Sequence, residues 1–569
     1  MLRFASREQS SERKAVSPNT SSLLLTPRTP QTFRTPPNPS LPMGLHWFDY
    51  FIVIASILLA IVMGFYFAHR QKDSSTYFTG SGRVPAWAVG ISIFATLISS
   101  VTFLAYPGAA YSSNWVLLVQ GLMVPIVLLT LIGVIVPLYR SIIKLSTYEY
   151  FERRFGAGAR YYSSVAFVLT HFTKMGSVFY LVSMALAAFM NLNIYLIIAV
   201  LALAIIVLTL LGGMEAIIWM DVVQGFLLIG GGLLCITFLL FGVGTPYGPS
   251  EIVGTAWAAG KIDVGPYDWN FVETTFWVMV FNGIFYALQK YGTDQTIVQR
   301  YLTAKNDHEA KKAAFIGVFL SVPVWTMFML VGSLLWAYYQ LSPDPAVIDP
   351  NTGAQLLKAD AVFPHFISTQ LPLGIRGLII AAIAAAAISS LDSDLNCISA
   401  IAVQDYLVKL RPSMSDKKKL NAGRWAVIIA SLGVIAIAVA YVQTHGGSVL
   451  ETIFAFYAIF SAGIVGIFLL GLFSRRANKK GLYVGLIACI LFTAYATLTS
   501  PMKMPDGSKH ALIDLGSWNF THSKYMLGVY SHLIVLIVGY LASFLFPSDK
   551  ADEKLTIYGF LKERKNNPS

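Results

Sequence analysis

The run Ala384-Ala385-Ala386-Ala387-Ile388-Ser389-Ser390-Leu391-Asp392-Ser393-Asp394 puts two carboxylates and three hydroxyls into the second half of an apolar segment, 374–403, that is long enough to cross a bilayer. Ionisable groups at such depth are costly, and they usually face a partner, a cavity or an ion. Ser389, Asp392 and Ser393 stand at i, i+3 and i+4, which is one face of a helix. That face offers oxygen only, without nitrogen or sulfur. Oxygen suits a hard cation, and Na⁺ is the obvious one for a membrane carrier.

The rest of the chain fits a membrane setting. Of its 569 residues, 56% are hydrophobic and 12% charged, against about 25% charged in soluble domains. The chain therefore reads as an all-α polytopic membrane protein in contact with the lipid bilayer. The net charge of +12 is no sign of a nucleic-acid partner, because basic residues collect in the cytoplasmic loops of membrane proteins. The three cysteines, Cys235, Cys397 and Cys489, lie in apolar segments and form neither a disulfide framework nor a zinc spacing.

About thirteen apolar stretches reach spanning length, near 46–68, 84–105, 115–138, 162–190, 193–212, 216–242, 271–294, 312–340, 374–403, 423–444, 450–473, 481–500 and 526–546. Alternate loops carry the basic residues: Arg140 with Lys144, Lys305 with Lys311, Arg475 with Arg476, and the tail after 547. This pattern puts the C-terminus in the cytoplasm and the N-terminus outside. Residues 1–45 break the pattern. They form a basic Ser/Thr/Pro-rich tail that reads as disordered. Two explanations stand: translation begins at Met43, or a real tail crosses despite its charge.

Several other polar groups reach the membrane interior. Asp221 lies at a depth similar to Asp392, and the run Ala95-Thr96-Leu97-Ile98-Ser99-Ser100 reaches the middle of its span. Carbonyls freed where such a helix unwinds are ready cation ligands. Asp221 with Asp392 reads as a cation site or as a buried hydrogen-bond network holding one proton. Lys174, near the centre of its span, either meets a polar or anionic substrate or forms a structural pair. Asp394 is turned roughly 200° from Asp392 on a regular helix and faces elsewhere, with its role open. His171 reads as a packing residue. Lys290 and Arg300 read as cations snorkelling at the inner interface. Phe454, Phe456, Tyr457 and Phe460 wall a cavity or simply pack.

These residues carry a family resemblance over about 46–480. Gly374 to Asn396, Gly212-Gly213 with Trp219 to Gln224, Thr293 to Lys305, and Phe468 to Phe473 together resemble the solute:sodium symporter family, which includes sodium/glucose, sodium/galactose and sodium/sialic acid symporters. The resemblance implies a LeuT-type 5+5 inverted repeat: an additional helix at 46–68, repeat 1 at 84–242, repeat 2 at 271–473, two peripheral helices at 481–546, and a basic cytoplasmic tail at 547–569. It also implies Na⁺ as coupling ion with no resident cofactor, and a multi-pass location in the plasma membrane, the inner membrane in a bacterium.

Carried over residue by residue, the shared sodium site is Ala95, Ile98, Ala386, Ser389 and Ser390. A second sodium or proton site maps to Asp221, Ser389, Asp392 and Ser393, with Asp392 departing from the usual small residue. The polar sugar contacts of the galactose symporter are replaced by Gly121, Ala287 and Phe454. The sialic acid symporter positions map to Ser99, Thr102, Gln120 and Lys174. Lysine there keeps the charge of the family's arginine and loses its bidentate fork. The implied function is Na⁺-coupled import of a small polar solute by alternating access, best read as a sialic acid or other carboxylated sugar or organic anion. A neutral sugar or polyol symporter is the alternative; from another class, an uncoupled channel or a transporter-like sensor. The sequence shows no P-loop, zinc motif or nucleophile elbow, so it does not read as an enzyme.

Overall fold

The computed structural model describes residues 45–68, 74–80, 82, 84–143, 145–242, 247–443, 459–503, 509–547 and 553–566. The tail at 1–44, with Met43, and the stretch 444–458, with Phe454, Phe456 and Tyr457, lie outside the described residues. Gly44 to Ser569 cluster as one compact unit. Among the described residues its secondary structure is helical, apart from two isolated bridges and an antiparallel pair of two-residue strands, Met502–Lys503 with Lys509–His510.

Among the described residues, nine helices are long and apolar enough to span a membrane, or ten if one bent pair counts as a span. Three places account for the difference from the thirteen expected stretches. The stretches at 193–212 and 216–242 form one continuous run, α8 (Ile194–Phe241), broken only at Gly213 (φ 57°, ψ −178°). A glycine is needed there, since a side chain at that positive φ is strained. Helix α10 (Phe276–Gly292) has 17 residues. The stretch 450–473 is described from 459 onward, with a helix over Ile464–Phe473.

The chain's most informative segment is also its most buried. Helix α14 (Ile375–Ile401) is buried at every residue from Ile379 to Ile401. Its run of alanines lets α1 (Trp47–Ala68), α7 (Ala157–Met190), α8 and α16 (Asp416–Gln443) pack around it, as small residues allow for helices in membranes. Asp49 of α1 anchors the N-terminal end of α14: its Oδ1 accepts from Gly374 N (2.8 Å) and Gly377 N (3.0 Å), capping α14 from another helix. A second group packs alongside. Helix α12 (Asp307–Leu341) lies against α3 (Ala86–Leu97), α4 (Ser100–Ser112) and α5 (Leu118–Ile142), and α10 lies against α5.

Candidate functional site

Helices α3 and α4 are one span broken at Ile98–Ser99, with a bend of 53°. Ile98 (φ −95°, ψ 112°) and Ser99 (φ −117°, ψ −178°) are extended. The first helical ladder ends with Ile98 N on Phe94 O, and the second starts with Phe103 N on Ser99 O. The carbonyls of residues 95–98 fall in the gap between the ladders, as at any helix C-terminus. Ser99 Oγ accepts from Val101 N (3.2 Å) and caps α4. The break needs no proline or glycine; a capping serine starts the new helix.

The broken end faces α14. Thr96 Oγ1 and Ser393 Oγ stand 3.4 Å apart, and Ala95, Ile98, Ala386, Ser389 and Ser390 are all buried. Ser390 Oγ is buried without a hydrogen-bond partner among the described residues. A buried hydroxyl without a partner is costly unless something else satisfies it. Freed carbonyls beside hydroxyls match the hard-oxygen chemistry of an alkali cation.

The second constellation differs from the sequence expectation. Asp221 is paired with Arg300, whose Nη2 donates to Asp221 Oδ2 (2.9 Å) and to Ser393 Oγ (2.7 Å). Arg300 Nε donates to Ser92 Oγ (2.7 Å) and Nη1 to Thr296 O (2.7 Å). Ser92 and Ser389 both donate to the Asp221 carboxylate. The guanidinium thus stands between Asp221 and Ser393, as part of a buried hydrogen-bond network in which the sequence does not single out Arg300. Asp392 is fully buried beside Thr209, and among the described residues neither of its oxygens finds a partner in hydrogen-bonding geometry.

Snorkelling is overturned for both cations. Arg300 is 0% and Lys290 5% exposed. The chain turns after Gly292 into α11 (Gln295–Thr303), which is itself buried and keeps Arg300 away from the surface. Lys290 Nζ lies 2.5 Å from Asp294 Oδ2. His171 is more than packing: it stacks on Phe167 at 3.9 Å between ring centroids, and its Nε2 and Nδ1 lie 3.2 Å from Asp294 Oδ2 and 2.9 Å from Asp394 Oδ1. Asp394 takes Lys174 as well, at 3.0 Å. Lys174 therefore stands in an ion pair, which answers one of its two readings. The order Lys174–Asp394–His171–Asp294–Lys290 links α7, α14 and the α10–α11 turn.

Of the substrate positions, Ser99, Thr102 and Gln120 are buried. Gln120 Oε1 accepts from Asn282 Nδ2 (2.8 Å), a partner that sequence reading did not single out. Gly283 allows the contact: a Cβ there would sit 2.9 Å from the Gln120 backbone. Asn282 lines a cavity with Tyr286, Gln289, Ser461 and Lys524. Gln289 and Ser461 also border a smaller cavity lined by His171, Thr293 and Asp294. The two cavities share that wall, so together they extend from exposed Lys524 toward His171.

Near the N-terminal end of α7, Arg160 ties that helix to Glu152 and Asp405. Burial alone raises the Glu152 carboxyl, but hydrogen bonds from Lys409 and Arg160 outweigh it and hold the group below its ordinary range.

A model of the sodium:solute symporter family matches residues 77–489. This chain belongs to that family. Among relatives of the symporter, the sodium/sialic acid symporter NanT of Aliivibrio fischeri is 31% identical over 519 residues, covering 91% of this chain and 97% of that one. The sodium/sialic acid symporter SiaT of Proteus mirabilis is 33% identical over 466 residues, covering 81% and 92%. A solved structure of a Na⁺-coupled sialic acid symporter, in a substrate-bound outward-open state, superimposes with a TM-score of 0.78 at 30% identity. It covers 90% of this symporter and 100% of that chain.

Proposed function

We propose that this symporter imports a sialic acid, driven by the inward Na⁺ gradient, and works as a carrier rather than an enzyme. The observation that carries the reading is 31–33% identity to two sodium/sialic acid symporters over nearly their whole length. The site's chemistry supports it. Na⁺ is held by the carbonyls of Ala95, Ile98 and Ala386 and the hydroxyls of Ser389 and Ser390. Asp221, Ser389, Asp392 and Ser393 form a second sodium or proton site when Arg300 shifts. The substrate's hydroxyls meet Ser99, Thr102 and Gln120, and its carboxylate meets Lys174.

In this reading the core is a LeuT-type pair of inverted repeats, 84–242 and 271–473, within thirteen spans. The N-terminus is outside, the C-terminus is cytoplasmic, and the protein sits in the inner membrane of a bacterium. Because Na⁺ bridges a broken helix and α14, its binding stabilises one arrangement of the two, and its release on the sodium-poor side frees them. Ligand that binds only the folded site raises the melting temperature. Sialic acid should therefore stabilise the purified protein in NaCl and leave it unchanged in KCl. Equal shifts in both salts contradict sodium coupling, and no shift in either contradicts the substrate.

A further inference from the structure

The buried chain sets two lysines and a histidine against two carboxylates. Both ring nitrogens of His171 face oxygens of ionised carboxylates, at 2.9 Å (Asp394) and 3.2 Å (Asp294). Nε2 meets Asp294 Oδ2 in hydrogen-bonding geometry, and Nδ1 meets Asp394 Oδ1 as a close contact. Lys174, His171 and Lys290 then share two acids. Asp294 is fully served without Lys174: besides Lys290 and His171 it accepts from Thr296 N (2.9 Å) and Thr296 Oγ1 (2.6 Å). Asp394, 0% exposed, has Lys174 and His171.

Lys174 is the loosest member. Its contacts to Asp394 are 3.0 and 3.4 Å, against 2.5 Å for Lys290 on Asp294. Its side chain is 13% exposed, against 6% or less for the other four. It also lies one helical turn from Val178, whose carbonyl accepts from Ser100 Oγ (3.2 Å), next to Ser99 at the broken helix.

We propose that Asp394 is an internal occupant of Lys174: a carboxylate on α14 that stands in for the substrate's own, yields Lys174 when substrate arrives, and is then held by His171. This rests on the reading of Lys174 as the carboxylate's partner. It makes Asp394 a specificity and release residue. A solute without a negative charge cannot replace it, so the Lys174–Asp394 pair stays closed. Once the substrate faces the cytoplasm, re-pairing of Asp394 with Lys174 drives it off. Apparent affinity is then the intrinsic affinity reduced by the fraction of protein in which Lys174 is free.

The test is calorimetric titration of sialic acid into full-length protein in saturating Na⁺, for wild type, Lys174→Met, Asp394→Asn and the double variant. Asp394→Asn should tighten binding about tenfold, slow release in single-turnover efflux, and change nothing in the Lys174→Met background. The carboxamide of sialic acid should bind Asp394→Asn no better than wild type. If Asp394→Asn does not give a folded, Na⁺-stabilised protein, Asp394→Ser takes its place with the same expectation. Unchanged or weaker binding, or equal tightening without Lys174, overturns the inference while leaving the substrate reading intact. Unchanged affinity in Lys174→Met removes Lys174 from the carboxylate and overturns this inference, whereas no binding to wild type overturns the substrate reading and this inference with it.

Discussion

Arg300 Nη2 meets Asp221 Oδ2 at 2.9 Å with neither side chain more than 1% exposed. The pair ties α11 to α8, and Ser92 and Ser393 tie it to α3 and α14. The native cation at Asp221 in this conformation is thus a side chain. Any ion entering there competes with a guanidinium.

Breaking that pair from one side strands a buried charge, which costs about 3–5 kcal/mol. Arg300→Met should therefore lower thermostability severely. The double variant Arg300→Met with Asp221→Leu should recover much of the loss, as read by heating in detergent followed by size-exclusion chromatography. A double variant no more stable than the single one contradicts the pairing.

Ser390→Ala removes a hydroxyl that holds no protein partner among the described residues. The sodium-free protein should keep its melting temperature. The Na⁺ concentration for half-maximal stabilisation should rise about tenfold, the equivalent of ~1.4 kcal/mol. Ser389→Ala should disturb both, since Ser389 also donates to Asp221.

Lys174→Arg keeps a cation for a carboxylate, and Lys174→Ala does not. Uptake of sialic acid should survive in the first and fall by more than tenfold in the second. Full uptake in both removes Lys174 from the pocket.

Asp49→Ala uncaps α14 at its N-terminal end. The loss should be about 0.5–2 kcal/mol of stability, with little change in Na⁺ affinity, because the cap lies some four turns from Ser389.

Much of this was legible in the chain itself. The depth of the Ser389–Asp392–Ser393 face, the Ala95–Ser100 run and the opposite facing of Asp392 and Asp394 follow from helical spacing alone. Arg300 was misread because hydropathy ends the span near residue 294. Sequence cannot show that a second, polar helix, Gln295–Thr303, is buried in its turn. The four-residue spacing of Lys290 and Asp294 was a readable sign of their ion pair. The partners of His171 and Gln120 lie 123 and 162 residues away, and only tertiary packing joins them.

The central claim is that a sodium ion held between the α3–α4 break and α14 drives sialic acid inward. Proteoliposomes loaded with potassium and placed in sodium medium should concentrate labelled sialic acid above the external level, and choline in place of sodium should abolish the accumulation. Equal accumulation in choline, with no other ion gradient present, contradicts it.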